Sequence, residues 1–346
     1  MSWRREFQAG AVALGMLALI SVAGAAVHVS GTGGSAKIAD ATGVAGVTYQ
    51  VSAKAQHDAR AYWTTDRMWA TADGMVQTQA AVLTSPPKGI PTASKFNGSP
   101  TTGALFYTTG GKAHFCSASV VDSPQGDLLL TAAHCVYDKS VASNVEYVPE
   151  YHDGKDPYGT WPVRAITVTY DWKTSHDTDF DFAFLAVSPE NRKSIQATTN
   201  GLTLGINLSD NQKIEVIGHN DTDNEPVRCA TKSFWFRTGQ MEFYCHGFWT
   251  GTSGGPWIIG YNAANGEGKV FGVIGGYEGG GDYEWTSYSS YFGDTARSLY
   301  RQAESEPAPK PTPTASPTPS PSKKPSAGTS YPAGAARPGH PSIGPS

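Results

Sequence analysis

The sequence predicts an all-β fold, a barrel or a sandwich, over the stretch from Pro100 to Ala303. Short apolar runs recur there between Gly, Asn, Asp and Pro turns, which is the spacing of strands. The chain holds 39 glycines and only 16% charged residues, as turn-rich rigid proteins do. Within that stretch no 3.6-residue period is sustained before residue 294.

The expected strands follow in order: Ala104–Tyr107, Leu128–Leu130, Ala165–Val168, Phe182–Val187, Ile214–Ile217 and Val270–Ile274. Over Asp294–Glu304 the period changes, and Ala296, Leu299, Tyr300 and Ala303 recur at helical spacing. A closing helix is expected there.

The flanks differ from this middle. Residues 1–29 read as a signal peptide: Arg4 and Arg5 start it, an apolar run spans Ala9–Val27, and Ala23-Gly24-Ala25 offers a small-residue cleavage site. Left uncleaved, that run approaches the length of a membrane anchor, so membrane contact is expected only if the segment is retained. Residues 30–99 are small and polar except for the patch Ala59–Ala70, where Thr64 or Thr65 would cap a short helix. They read as a propeptide or a linker. Residues 305–346 form a Pro/Ser/Thr-rich tail that cannot bury enough surface to offset its ordering entropy, and an extended, disordered segment is expected.

The formal net charge is -4, and no basic stripe with interleaved aromatics is present. Nucleic acid is therefore not an expected partner. Four cysteines without a CxxC pair fit two disulfides rather than a zinc site, which points to an oxidising, extracellular or cell-envelope compartment.

Three segments carry chemistry: Thr131-Ala132-Ala133-His134-Cys135, Asp181-Phe182-Ala183-Phe184-Leu185 and Gly251-Thr252-Ser253-Gly254-Gly255-Pro256. A serine hydroxyl is a weak nucleophile, so Ser253 needs a base to take its proton and donors to stabilise the oxyanion that forms. His134 suits the base, because imidazole titrates near neutrality. A carboxylate behind it would fix its tautomer. Asp177, Asp179 and Asp181 alternate as on one strand face; Asp181 is favoured because the apolar run follows it directly, and Asp179 is the alternative. Glycine at 251 and 254 lets the backbone approach a substrate and present the N–H groups of Gly251 and Ser253 as an oxyanion hole. His114, His152, His176, His219 and His246 have no ligand spacing, and neither a metal nor a cofactor is expected.

TAAHC, DFAFL and GTSGGP resemble the histidine, aspartate and serine signatures of chymotrypsin-like serine proteases, in that family's order, and most of all its secreted bacterial trypsin-like and glutamyl endopeptidase members. Over residues 100–304 the resemblance implies two six-stranded antiparallel β-barrels and a C-terminal helix. It implies His134 and Asp181 from the first barrel and Ser253 from the second. The activity implied is hydrolysis of peptide bonds in proteins or peptides through an acyl-enzyme, by a secreted monomer made as a zymogen. The resemblance further implies disulfides Cys116–Cys135 and Cys229–Cys245. It sets Gly247, Phe248, Trp249 and Thr250 on one wall of a substrate-binding pocket and Gly275, Gly276 and Tyr277 on the other.

Two departures matter. Thr252 stands where animal members have the aspartate that pairs with a new amino terminus, so that activation switch is not expected. Gly247 leaves no carboxylate at the pocket base and Ile274 is not the histidine of glutamate-specific relatives, so apolar or aromatic side chains are expected, with Glu278, Asp282 and Glu284 nearby. The alternative is a noncatalytic binding or adhesion domain on the same fold. Such a domain is free to lose a catalytic residue, and this chain has kept them all.

Overall fold

The structure is a computed structural model describing residues 36–38, 45–72, 85–221 and 224–307. The signal segment and the tail beyond residue 307 lie outside the described residues. The chain opens with β1 (Ala36–Ile38), β2 (Gly46–Gln50), α1 (Ala53–Tyr62), α2 (Thr65–Ala72) and β3 (Ser94–Lys95). A first barrel follows: β4 (Thr102–Thr109), β5 (Lys112–Val121), β6 (Leu128–Thr131), α3 (Ala133–Val136), β7 (Ser143–Pro149), β8 (Trp161–Thr169), α4 (Tyr170–Ser175) and β9 (Ala183–Val187). The second half contains α5 (Ile195–Thr199), β10 (Thr203–Leu204), β11 (Lys213–His219), β12 (Pro226–Arg237), β13 (Gln240–Tyr244), β14 (Pro256–Ile259), β15 (Lys269–Val273), β16 (Thr286–Ser290) and α6 (Asp294–Glu304).

Strands β4, β5, β6, β9, β8 and β7 close on themselves in that order, every pair antiparallel. Closure leaves no free edge within the six. Leu105, Val120, Leu129, Tyr147, Trp161, Ile166 and Leu185 fill its interior. The second sheet runs β15-β14-β11-β12-β13-β16, with β10 beside β15 and β3 beside β12. Its ends come together where Val273 N donates to Ser289 Oγ and Gly275 N to Tyr288 O, both at 3.0 Å. Phe243 and Trp257 meet edge-to-face at 5.0 Å in its core. A third cluster, including Leu130, Phe182, Ile217, Val273, Phe292 and Leu299, joins both barrels to α6.

The six expected runs fall on β4, β6, β8, β9, β11 and β15, and the closing helix spans the residues that its periodicity marks. Ala296, Leu299 and Ala303 are its buried face. Residues 45–72 are ordered against the first barrel. β2 extends β8 with Gly46 opposite Thr169, and Trp63 and Met68 pack with Phe106, Phe115, Val148 and Tyr151. The hydroxyl of Thr64 accepts from Arg67 N at 3.3 Å, as a helix cap does. At the far end of the chain, Gln302 on α6 accepts from Gly46 N and donates to Gly46 O, both at 3.1 Å.

Candidate active site

His134 lies on α3, the single helical turn that follows β6. The disulfide from Cys135 to Cys116 ties that turn back to β5, and a second bridge joins Cys229 to Cys245. Loops of this length are worth about 3 kcal/mol each by the chain-entropy account.

Asp181 does not sit on a strand. Residues 178–180 form a 3₁₀ turn that Asp177 caps by accepting from Asp179 N at 3.0 Å, so the three aspartates do not share a strand face as their alternation suggests. The turn sorts them. Asp179 is partly exposed, accepts from Gln240 Nε2 at 2.8 Å and stands 3.9 Å from Arg237. Asp181 is fully buried and accepts three hydrogen bonds: from His134 Nδ1 at 2.7 Å and Gly276 N at 2.8 Å on Oδ2, and from His134 N at 2.9 Å on Oδ1.

Burial opposes the charge on both partners, and their attraction outweighs it. It pushes the Asp181 carboxyl up, but the His134 charge and the N–H donors hold it below the ordinary value. Burial likewise works against protonation of His134, yet Asp181 keeps its pKa above the usual histidine range. An ionised carboxylate only accepts, so Nδ1 carries the proton and Nε2 is the basic nitrogen.

Ser253 is half-buried on the loop before β14. Its carbonyl accepts from Ser117 N on β5 at 2.7 Å, which ties the loop to the first barrel. Gly254, at φ 81°, passes so close to that barrel that a Cβ would lie 2.1 Å from Ser117 O; Gly251, at φ 92°, would place one 2.7 Å from His219 O. Neither position has room for a side chain. The amides of Thr252, Gly254 and Gly255 donate to Trp249 O, Ile274 O and Thr252 O at 3.2, 2.7 and 2.8 Å. Those of Gly251 and Ser253 donate to nothing among the described residues. In a trans peptide the C=O and the next N–H point opposite ways. Asp221 N holds Thr250 O at 2.8 Å and Gly255 N holds Thr252 O, so both unused N–H groups are turned out of the scaffold. Thr252 itself is buried, and its hydroxyl donates to Trp249 O at 2.7 Å.

A cavity of about 410 Å³ opens beside Ser253, lined by Phe248, Trp249, Thr250 and Ile274 and by the loop from Glu278 to Glu284. Of the expected pocket residues, Phe248, Trp249 and Thr250 line it, whereas Gly247, Gly275, Gly276 and Tyr277 do not: Gly276 N holds Asp181, and Tyr277 packs on Phe236 and Tyr288. Contrary to expectation, a carboxylate does stand beside Gly247. Glu284 reaches back to it, accepting from Gly247 N at 2.6 Å while its other oxygen meets His246 Nδ1 at 2.7 Å. Two larger hollows, of about 720 and 920 Å³, touch neither Ser253 nor His134.

With this geometry in place, the family match decides the identity: the trypsin family model covers residues 91–289. The chain belongs to the trypsin family. It is a serine endopeptidase. Among solved structures, the protease Anisep from Arthrobacter nicotinovorans superposes with a TM-score of 0.56 at 23% identity, over 62% of this chain and 99% of that one. The thermostable serine protease AL20 from an extremophilic microorganism gives 0.55 at 23% identity, over 60% and 99%. Likeness at that identity shows the shared fold. No curated protein matches the chain in sequence.

Two features of this site carry no signal in the sequence. Ser290 Oγ accepts from Asp181 N at 3.1 Å, and Ser117 braces the Ser253 loop. Both act on backbone groups, and a serine in a polar strand carries no signal of that.

Proposed function

We propose that this endopeptidase cleaves proteins or peptides outside the cell through Ser253, His134 and Asp181. The 2.7 Å contact from His134 Nδ1 to the buried Asp181 carries the reading, because it fixes the tautomer a general base requires. His134 Nε2 takes the proton from Ser253 Oγ as that oxygen attacks the scissile carbonyl carbon. The carbonyl oxygen becomes an oxyanion facing the free N–H groups of Gly251 and Ser253. Collapse breaks the C–N bond, and His134 passes its proton to the leaving amine. Water then repeats the sequence on the acyl-enzyme, giving the acid and free Ser253. The steps need neither a metal nor a cofactor.

Export, a precursor form and a monomeric state belong to the same proposal. Two disulfides suit an oxidising compartment, and the basic-then-apolar start of the sequence suits a signal peptide. No helix among the described residues is long and apolar enough to cross a membrane. In this reading residues 1–29 direct export, 30–99 form the precursor segment, 100–304 the protease domain and 305–346 a spacer. The test is labelling with a fluorophosphonate. Wild type is modified at Ser253 alone, and Ser253→Ala is neither labelled nor active; label retained in Ser253→Ala refutes the assignment.

A further inference from the structure

We propose that Asn220 is a positioning residue for peptide hydrolysis: its side-chain amide locks the segment leading into the oxyanion hole, the task for which Thr252 leaves no activation ion pair. The proposal rests on the triad reading above.

Asn220 follows β11 directly and is buried. Its Nδ2 donates to Gly247 O at 3.1 Å and its Oδ1 accepts from Trp249 N at 2.9 Å. One side chain thus grips the segment at two points, two residues apart. Its neighbours continue the grip. Asp221 N holds Thr250 O at 2.8 Å. His219 N donates to Ser117 Oγ at 2.9 Å, and Ser117 Oγ donates to Gly251 O at 3.1 Å. Thr252 Oγ1 takes Trp249 O, so Trp249 is fixed on both its N–H and its C=O.

The chemistry singles out asparagine. The segment offers a carbonyl at Gly247 and an N–H at Trp249, and a carboxamide is the short side chain that donates and accepts at once. Aspartate keeps the acceptor, but it sets a second acceptor against Gly247 O. Leucine of similar size offers neither group and leaves two part-buried backbone groups without this partner.

The direction of the effect follows from what the segment carries. Thr250 C=O and Gly251 N–H belong to one peptide, so whatever fixes the first aims the second. A scaffold held at Gly247, Trp249 and Thr250 presents Gly251 N–H before substrate arrives. If Asn220 is lost, the peptide samples orientations that serve the oxyanion poorly, and the transition state suffers more than the bound substrate.

The experiment compares Asn220→Asp and Asn220→Leu with wild type in the full chain, matured as the wild type is. Both should lower kcat by about ten- to a hundredfold with KM within threefold, below the ~10²–10³ for outright removal of an oxyanion donor. The fluorophosphonate labelling rate at Ser253 and the affinity for a peptide boronate should fall by similar factors. Affinity for the product peptide acid should not change. Asn220→Asp, isosteric and polar, carries the test if the leucine variant fails to fold. Folded variants with kcat within twofold of wild type overturn the inference. So does an equal loss of boronate and product affinity, which means general loosening. If Ser253→Ala is inactive and unlabelled while the Asn220 variants match wild type, only this inference falls; if Ser253→Ala keeps activity or label, the triad reading itself has failed.

Discussion

Replacing Asp181 with asparagine changes a single atom, and the surroundings say what that atom does. The carboxylate accepts two N–H groups on Oδ2 and one on Oδ1, and has no donor of its own to place. Asparagine must turn its NH₂ toward one side. Facing His134 N, it sets donor against donor in a fully buried site. Facing Oδ2's partners, it meets Gly276 N–H and drives His134 into the tautomer with the proton on Nε2, where it cannot take one from Ser253. Either way a buried donor goes unpaired, at a cost of about 1–3 kcal/mol of stability. The second orientation also removes the base, and wrong-tautomer variants of such triads lose about 10⁴ in kcat, about 5.5 kcal/mol of barrier. Steady-state kinetics of Asp181→Asn and Asp179→Asn on one peptide, with melting temperatures, provide the assay. Asp179 is partly exposed and bonds Gln240 and not His134, so its variant should stay within about threefold of wild type. Equal losses in the two variants would refute the assignment.

Other expectations can be checked separately. His134 must be neutral to act, and Asp181 raises its pKa, so kcat/KM should climb with pH through a midpoint above the ordinary histidine value, moving lower in Asp181→Asn; an unmoved midpoint would sever the link. Glu146 is buried on β7 with its carboxyl driven up to about 7 by burial, against the pull of Thr160 and Arg60. Its proton-linked stabilisation is full below the ordinary carboxyl value and lost as pH rises through 7, so Glu146→Gln should gain up to about 3 kcal/mol at pH 8 and little at pH 4, read by denaturant unfolding. A pH-independent difference contradicts this. The cavity beside Ser253 is lined by Glu278, Asp282 and Glu284 and, among the described residues, by no cationic side chain. Peptides with Lys or Arg before the scissile bond should therefore outpace those with Glu more than tenfold at low salt, the gap closing as salt rises; equal rates in a peptide library would exclude an electrostatic pocket.

Local signals were legible and distant ones were not. The closing helix was readable from its own periodicity, and the proposed His134 and Ser253 came from short motifs whose neighbours share one turn of chain. Asp181 was readable as a residue, but its setting was not, because a 3₁₀ turn and a strand edge look alike over five residues. Glu284 at Gly247 and Asn220 at Trp249 were invisible, since each reaches across at least 29 residues to a backbone group that any sequence provides. Burial of Trp63 and Met68 was equally hidden: their spacing marks an apolar patch without naming the surface that covers it.

The bonds between Gln302 and Gly46 join residues 256 apart, and Gln50 Nε2 donates to Glu306 Oε2 at 2.5 Å across the same gap. The two ends of the folded unit are thus fastened to each other. A chain emerging from a ribosome or a translocation channel cannot form this fastening until its last helix arrives, so β2 waits on β8 without its final partner while most of the protein is made. Long sequence separation of this kind slows folding. It also leaves a chain broken off anywhere before α6 with the seam between β2 and that last helix unmade.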